Sequence, residues 1–140
     1  ILISTDIVIR KGVFMKKAIV SKNAPAAIGP YSQAIEANGP LFVSGQIPLD
    51  PATGEFSADD IKGQTRQVFR NIGAILKEAG LGFEHVGQAT VYLADIADFA
   101  AMNEVYAEFF TAPYPARAAF QVAALPKNAK VEIGVTAVRA

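Results

Sequence analysis

The apolar and polar positions along the chain fall into blocks of two different periods. Short apolar runs at 18–21 (AIVS), 31–37 (YSQAIEA) and 41–47 (LFVSGQI) read as strands, and Asn38-Gly39-Pro40 between the last two is a hairpin signal. In DDIKGQTRQVFRNIGAILKEAG (59–80), Val68, Ile72, Ile75, Leu76 and Ala79 recur at helical spacing, and Gly80 supplies a stop. QATVYLA (88–94) returns to strand. A second helix is predicted from about Asp98 as N-cap, with Phe99, Met102, Tyr106 and Phe109 along one stripe, closed by Pro113 and Pro115. Strands at about 117–124 and 130–138 follow. In the last, Val131, Ile133, Val135 and Ala137 alternate with Glu132, Gly134, Thr136 and Val138.

The resulting order, β-β-β-α-β-α-β-β, predicts an α+β layer structure: a mixed sheet with both helices on one face. The other face then lacks a helical cover. In a chain this apolar, such a face is expected to meet another subunit.

The first fourteen residues, ILISTDIVIRKGVF, precede Met15 and MKKAIV, which reads as a natural start. The expectation is a non-native or upstream-encoded extension over 1–14 and one domain over 15–140; a genuine extra strand, from Ile1, Ile3, Ile7 and Ile9, is the alternative. A signal peptide does not fit, because Asp6 interrupts the apolar stretch and the basic residues follow it.

Composition narrows the chemistry. Of 140 residues, 51% are hydrophobic and 19% charged, and the formal net charge is zero, so the chain has no basic field of the kind that gathers nucleic acid or anionic membrane. No apolar run approaches the roughly 18 residues of a membrane-spanning helix. Cysteine is absent and histidine occurs once, at His85, read as a surface residue. Disulfides, thiolate metal sites, His-rich metal sites and cysteine nucleophiles are excluded within the chain. The absence of cysteine fits a reducing, cytoplasmic compartment. Chemistry must come from Arg, Lys, Glu, Asp, Tyr, Asn or the backbone.

Two charges stand in awkward places, in PARAAFQVAALPKNAKVEI (115–133). Arg117 opens an apolar run with no acidic residue to pair with it, and small neighbours leave room around it. Read alone it is either a surface arginine or a partly buried guanidinium whose planar fork suits a carboxylate ligand. Glu132 points away from the valine face. It is either a solvated carboxylate, a partner for Lys130 or Arg139, or a group that holds and activates water. Tyr31, after Gly29-Pro30, either packs in the core or closes over a ligand. Asn103 lies one step from the apolar stripe of the second helix, facing solvent or a cleft. SGQIPLDPATGE is no phosphate loop, since it lacks the Lys-Ser/Thr ending, and no dinucleotide fingerprint is present.

Together, NAPAAIGPYSQAI, VSGQIPLDPATGE, QTRQVFRNI, DFAAMNEVYAEFF and above all PARAAFQVAALPKNAKVEI resemble the Rid family, the RidA/YjgF group of reactive intermediate deaminases, from about Lys17 to Arg139. The resemblance implies a chorismate-mutase-like subunit in a homotrimer, with clefts between neighbouring subunits. It implies hydrolysis of 2-imino acids such as 2-iminobutanoate and 2-iminopropanoate, released by pyridoxal-phosphate enzymes, to 2-keto acid and ammonia, with no metal or cofactor. By the same carry-over Arg117 binds the substrate carboxylate and Glu132 positions the attacking water. Tyr31 and Asn103 line the cleft, and backbone groups near Gly45 and Ala119 belong to it. The chain departs from many relatives in carrying Ala119 where they have a cysteine, and in a shorter segment between Asn103 and Arg117; both bear on substrate preference. The alternatives are a non-catalytic sensor of 2-keto acids and, against the charge balance and the lack of tryptophan, cleavage of single-stranded RNA or inhibition of translation.

Overall fold

The computed structural model describes residues 16–139; the expectations for 1–14 and Met15 lie outside them. Six strands, β1 (Lys17–Ile19), β2 (Ala34–Glu36), β3 (Pro40–Gln46), β4 (Val86–Leu93), β5 (Ala116–Gln121) and β6 (Val131–Val138), alternate with two helices, α1 (Ile61–Glu78) and α2 (Phe99–Phe109), in the expected order. They form one sheet in the order β1-β2-β3-β6-β4-β5. All neighbours are antiparallel except β4 and β5, which run parallel through the α2 crossover.

Alternation within each strand separates two faces. Leu41, Val43, Ala89, Val91, Val131, Ile133, Val135 and Ala137 are buried beneath the helices. Val68, Phe69, Ile72, Ile75 and Leu76 of α1 and Met102, Val105 and Tyr106 of α2 close that core from above. The helices also pair along their outer edges, where Arg66 and Glu108 meet at 2.8 Å and Lys62 meets Glu104. The opposite face carries Phe42, Gln88, Thr90, Tyr92, Phe120, Glu132 and Thr136, and among the described residues no helix covers it. Phe42 and Phe120 are 49% and 44% exposed there, which is unusual for two phenylalanines on one sheet face.

Element ends follow local chemistry. Asp60 caps α1 by accepting from the Gly63 N–H, and Gly80, at φ +75, ends it in the left-handed region that glycine tolerates. The β2–β3 turn uses positive φ at Asn38 and Gly39 as the hairpin signal predicts. Asp98 stands at the N-cap position of α2 as expected, but the bonding there differs. Asp98 makes no capping bond; the Asp95 side chain instead accepts from the Ala97 N–H and starts a 3₁₀ turn, Ile96–Asp98, that leads into the helix. His85 is half-buried rather than a free surface residue: its Nδ1 accepts from the Gly82 N–H at 3.0 Å at the entry to β4.

Candidate functional site: two half-sites on opposite faces of the sheet

Arg117 pairs in register with Ala89 on β4, so its side chain leaves the sheet on the helix side. β5 is an edge strand, and the guanidinium lies exposed beside α2, the surface one of the two positions the sequence left open. It is held all the same. Nη1 donates to Asn103 Oδ1 at 2.6 Å, and Cζ sits 4.6 Å from the centre of the Tyr106 ring and 5.5 Å from that of Phe99. Among the described residues no carboxylate pairs with it, and its other N–H groups have no protein acceptor. It borders a hollow of about 480 Å³ lined also by Asn103, Tyr106, Ala107, Tyr114 and Pro115. Ala119, two residues on, leaves the strand on the same side, packed at the margin of the core.

Glu132 pairs in register with Tyr92 on β4, on the open face. A bulge in β3 shapes its surroundings. Val43 pairs with Val135 and Gln46 with Ile133, so β3 spends one more residue than β6 over the same length. The extra residue brings the Gly45 backbone against the Glu132 carboxyl; a Cβ at Gly45 would overlap Oε2. The carboxyl makes no hydrogen bond or ion pair among the described residues, and Arg139, one candidate partner, binds Glu36 and the Ala79 carbonyl instead. Desolvation pushes the Glu132 pKa above the usual glutamate value.

Tyr31 shares the Glu132 side. Glu132, Gly45, Tyr31, Ile28 and Lys127 line one hollow of about 320 Å³. The tyrosine is 51% exposed, so the core reading fails and the phenol projects over the hollow. Its loop is anchored from below by Gln33, buried at 3% exposure. Gln33 accepts from the Ser21 N–H at 2.7 Å and donates to the Ser21, Ala24 and Pro25 carbonyls, so a two-residue step from Tyr31 reaches a fixed point. Ser44 ties this loop to the bulge, its hydroxyl donating to the Ser32 carbonyl at 2.6 Å.

The structure thus brings Arg117 and Asn103 together, and separately Tyr31, Gly45 and Glu132. It does not bring the two groups together within one chain. Parity explains it: Arg117 aligns with Ala89 and Glu132 with Tyr92, an odd number of positions apart on β4, hence on opposite faces. Two contributors were missed by reading the sequence, Tyr106 and Phe99, which fell into the core stripe of α2. Their i, i+4, i+7 spacing with Asn103 was the available signal. Among the described residues no cluster of three or more His, Asp or Glu side chains could hold a metal ion.

Comparison with known proteins identifies the family. Residues 21–139 match the family described as endoribonuclease L-PSP. Reactive Intermediate Deaminase A, chloroplastic, of Arabidopsis thaliana is 53% identical over 120 residues, covering 85% of this chain and 64% of that protein. The 2-iminobutanoate/2-iminopropanoate deaminase of Capra hircus is 49% identical over 125 residues, covering 89% of this chain and 91% of that one. E. coli TdcF, solved with bound serine, superposes with a TM-score of 0.84 at 46% identity, covering 89% of this chain and 99% of its own. A family match over nearly the whole described chain, with relatives about half identical across most of it, means that the chain belongs to the endoribonuclease L-PSP family, the Rid group of reactive intermediate deaminases.

Proposed function

We propose that the protein hydrolyses reactive 2-imino acids, 2-iminobutanoate and 2-iminopropanoate among them, to 2-keto acids and ammonia, in a cytoplasmic setting, and that each site is assembled from two subunits. The observation that carries this reading is the guanidinium of Arg117, held by Asn103 and two rings with its remaining N–H groups free. Such a fork matches a planar carboxylate. The named activity of the goat and plant relatives and the serine bound to TdcF, itself a small α-carboxylate, support it.

The reaction asks little of the protein. A protonated imine is electrophilic at C2, so catalysis consists of fixing the substrate, aligning a water and moving protons. Arg117 binds the carboxylate. Glu132 takes a proton from water as its oxygen bonds to C2, giving a carbinolamine. Returning that proton to the nitrogen makes ammonia the leaving group; as the C–N bond breaks, the carbinolamine hydroxyl becomes the C=O and gives its proton back to the Glu132 carboxylate, leaving the keto acid and ammonia. A half-buried carboxyl with its pKa raised by desolvation is poised nearer neutrality for both transfers than a solvated one.

Because Arg117 and Glu132 leave opposite faces of one sheet, a cleft holding both takes Arg117 from one copy and Glu132, Gly45 and Tyr31 from the next. A homotrimer closed over the open faces, with Phe42, Tyr92 and Phe120 inside, buries that apolar surface and forms three such clefts. The RNA cleavage in the family description lacks a matching feature: the net charge is zero, and the chain has no tryptophan for base stacking.

The test is a coupled assay with threonine dehydratase in which semicarbazide traps free imine. The protein should lower semicarbazone and speed keto-acid formation, and Arg117→Ala should remove both effects. No effect of the intact protein on imines from threonine or serine overturns the deaminase. Tight 2-oxobutanoate binding without turnover would then assign a sensor.

A further inference from the structure

Phe99, Asn103 and Tyr106 follow one another at i, i+4 and i+7 along α2 and all three reach the same guanidinium. Asn103 supplies one directional hydrogen bond, which fixes a single N–H. A flexible arginine stem pinned at one point would still swing. The two rings remove that freedom, since a planar guanidinium lies flat on an aromatic face.

Tyr106 cannot follow the arginine if it moves. It is 5% exposed, with its ring 5.7 Å from Phe69 and 4.6 Å from Phe110, centre to centre. Its hydroxyl is buried and has no hydrogen-bond partner among the described residues. Burial pushes the phenol pKa up, against the pull of Arg117, so the group stays neutral. A hydroxyl without a partner weakens the fold rather than supporting it. What Tyr106 offers the site is its ring face, which lines the Arg117 hollow.

We propose that Tyr106, assisted by Phe99, is a positioning residue whose ring is the platform that aims the free N–H groups of Arg117 at the incoming carboxylate. The inference rests on the carboxylate-anchoring role given to Arg117 above. Holding the fork in its bound orientation beforehand lowers the ordering cost of binding, so the effect belongs in affinity and KM rather than in kcat.

Three variants separate platform from packing: Tyr106→Phe, which keeps the ring; Tyr106→Leu, which keeps apolar volume; and Phe99→Leu, at the half-buried rim. Each is read by the ring-current shift of the Arg117 side-chain NMR signals in the unliganded protein, by calorimetric affinity for 2-oxobutanoate, and by kcat and KM in the imine assay. Tyr106→Phe should match the parent in all three and melt no lower. Tyr106→Leu should lose the upfield shift, bind 2-oxobutanoate about five- to tenfold more weakly and raise KM by a similar factor with kcat held. Phe99→Leu should show a smaller change of the same kind, and it carries the test if Tyr106→Leu fails to fold. Unchanged 2-oxobutanoate affinity in folded Tyr106→Leu overturns the proposal, as does a Tyr106→Phe protein impaired as badly as Tyr106→Leu. If the parent clears no imine but binds 2-oxobutanoate and shows the upfield shift, the deaminase reading falls while the platform stands. Absence of the shift in the parent overturns the platform whatever the assay gives.

Discussion

Arg117 and Glu132 are both charges without a charged partner among the described residues, yet they are held by opposite means. Arginine is exposed and fixed by contacts; glutamate is half-buried and left unsatisfied. Their substitutions should therefore behave differently. Arg117→Lys keeps the charge but loses the fork and the stack, so carboxylate affinity should fall roughly tenfold or more at unchanged melting temperature, measured by 2-oxobutanoate titration. For Glu132 the folded pKa is raised by desolvation, so its ionised form works against folding once the pH passes the ordinary glutamate range. Glu132→Gln should raise the melting temperature at neutral pH and leave it unchanged well below pH ~4. A melting-temperature series against pH checks both arms. The acid limb of the rate should likewise lie above the usual carboxylate range, because the water-activating form is the ionised one. Gly45→Ala pushes the Glu132 carboxyl aside without touching the buried core. It should lower kcat on the order of tenfold while the thermal unfolding midpoint moves little, since the clash is with the far end of a flexible side chain.

At the scale of elements, the helices and strands were legible because each carries one clean period: Val131 to Ala137 at every second position, and Val68 to Leu76 at helical spacing. The sheet order was not legible. Nothing local in β6 says that it inserts between β3 and β4, and register within that sheet decides which face Arg117 and Glu132 occupy. Asp98 stands at the N-cap of α2 as its position in the sequence indicates, but the 3₁₀ turn that precedes the helix, capped by Asp95, was not legible, because Asp95 and Asp98 offer the same chemistry. The polar residues of α1 hid a supporting frame. Gln64, Gln67 and Asn71 lie off the apolar stripe of the helix, yet all three are buried. Asn71 donates to the Ile47 and Leu49 carbonyls and accepts from Gln67, and Gln64 accepts from the Lys130 N–H just before Glu132. These amides hold both segments that flank the Glu132 hollow. Asn71→Ala strands two carbonyls and one amide in the interior and should cost about 2–4 kcal/mol in denaturant unfolding.

For the whole molecule, the uncovered sheet face and the divided site make the same demand. Sedimentation of the pure protein should give the mass of three chains, and Phe120→Asp should shift it toward one while abolishing deamination. A mixing experiment tests the division directly. Arg117→Ala and Glu132→Ala proteins, each inactive, should regain roughly a quarter of the parental activity when refolded together at equal amounts, because random assembly pairs an intact arginine with an intact glutamate that often. A site contained in one chain would regain nothing.

The parity that sets Arg117 and Glu132 on opposite faces also has a genetic reading. In the proposed ring every chain serves two clefts, as arginine donor to one and glutamate donor to the other. A copy lacking both side chains but still able to assemble would silence two clefts wherever it entered. Such an allele would be dominant over the normal gene, whereas one that merely prevented folding would be recessive.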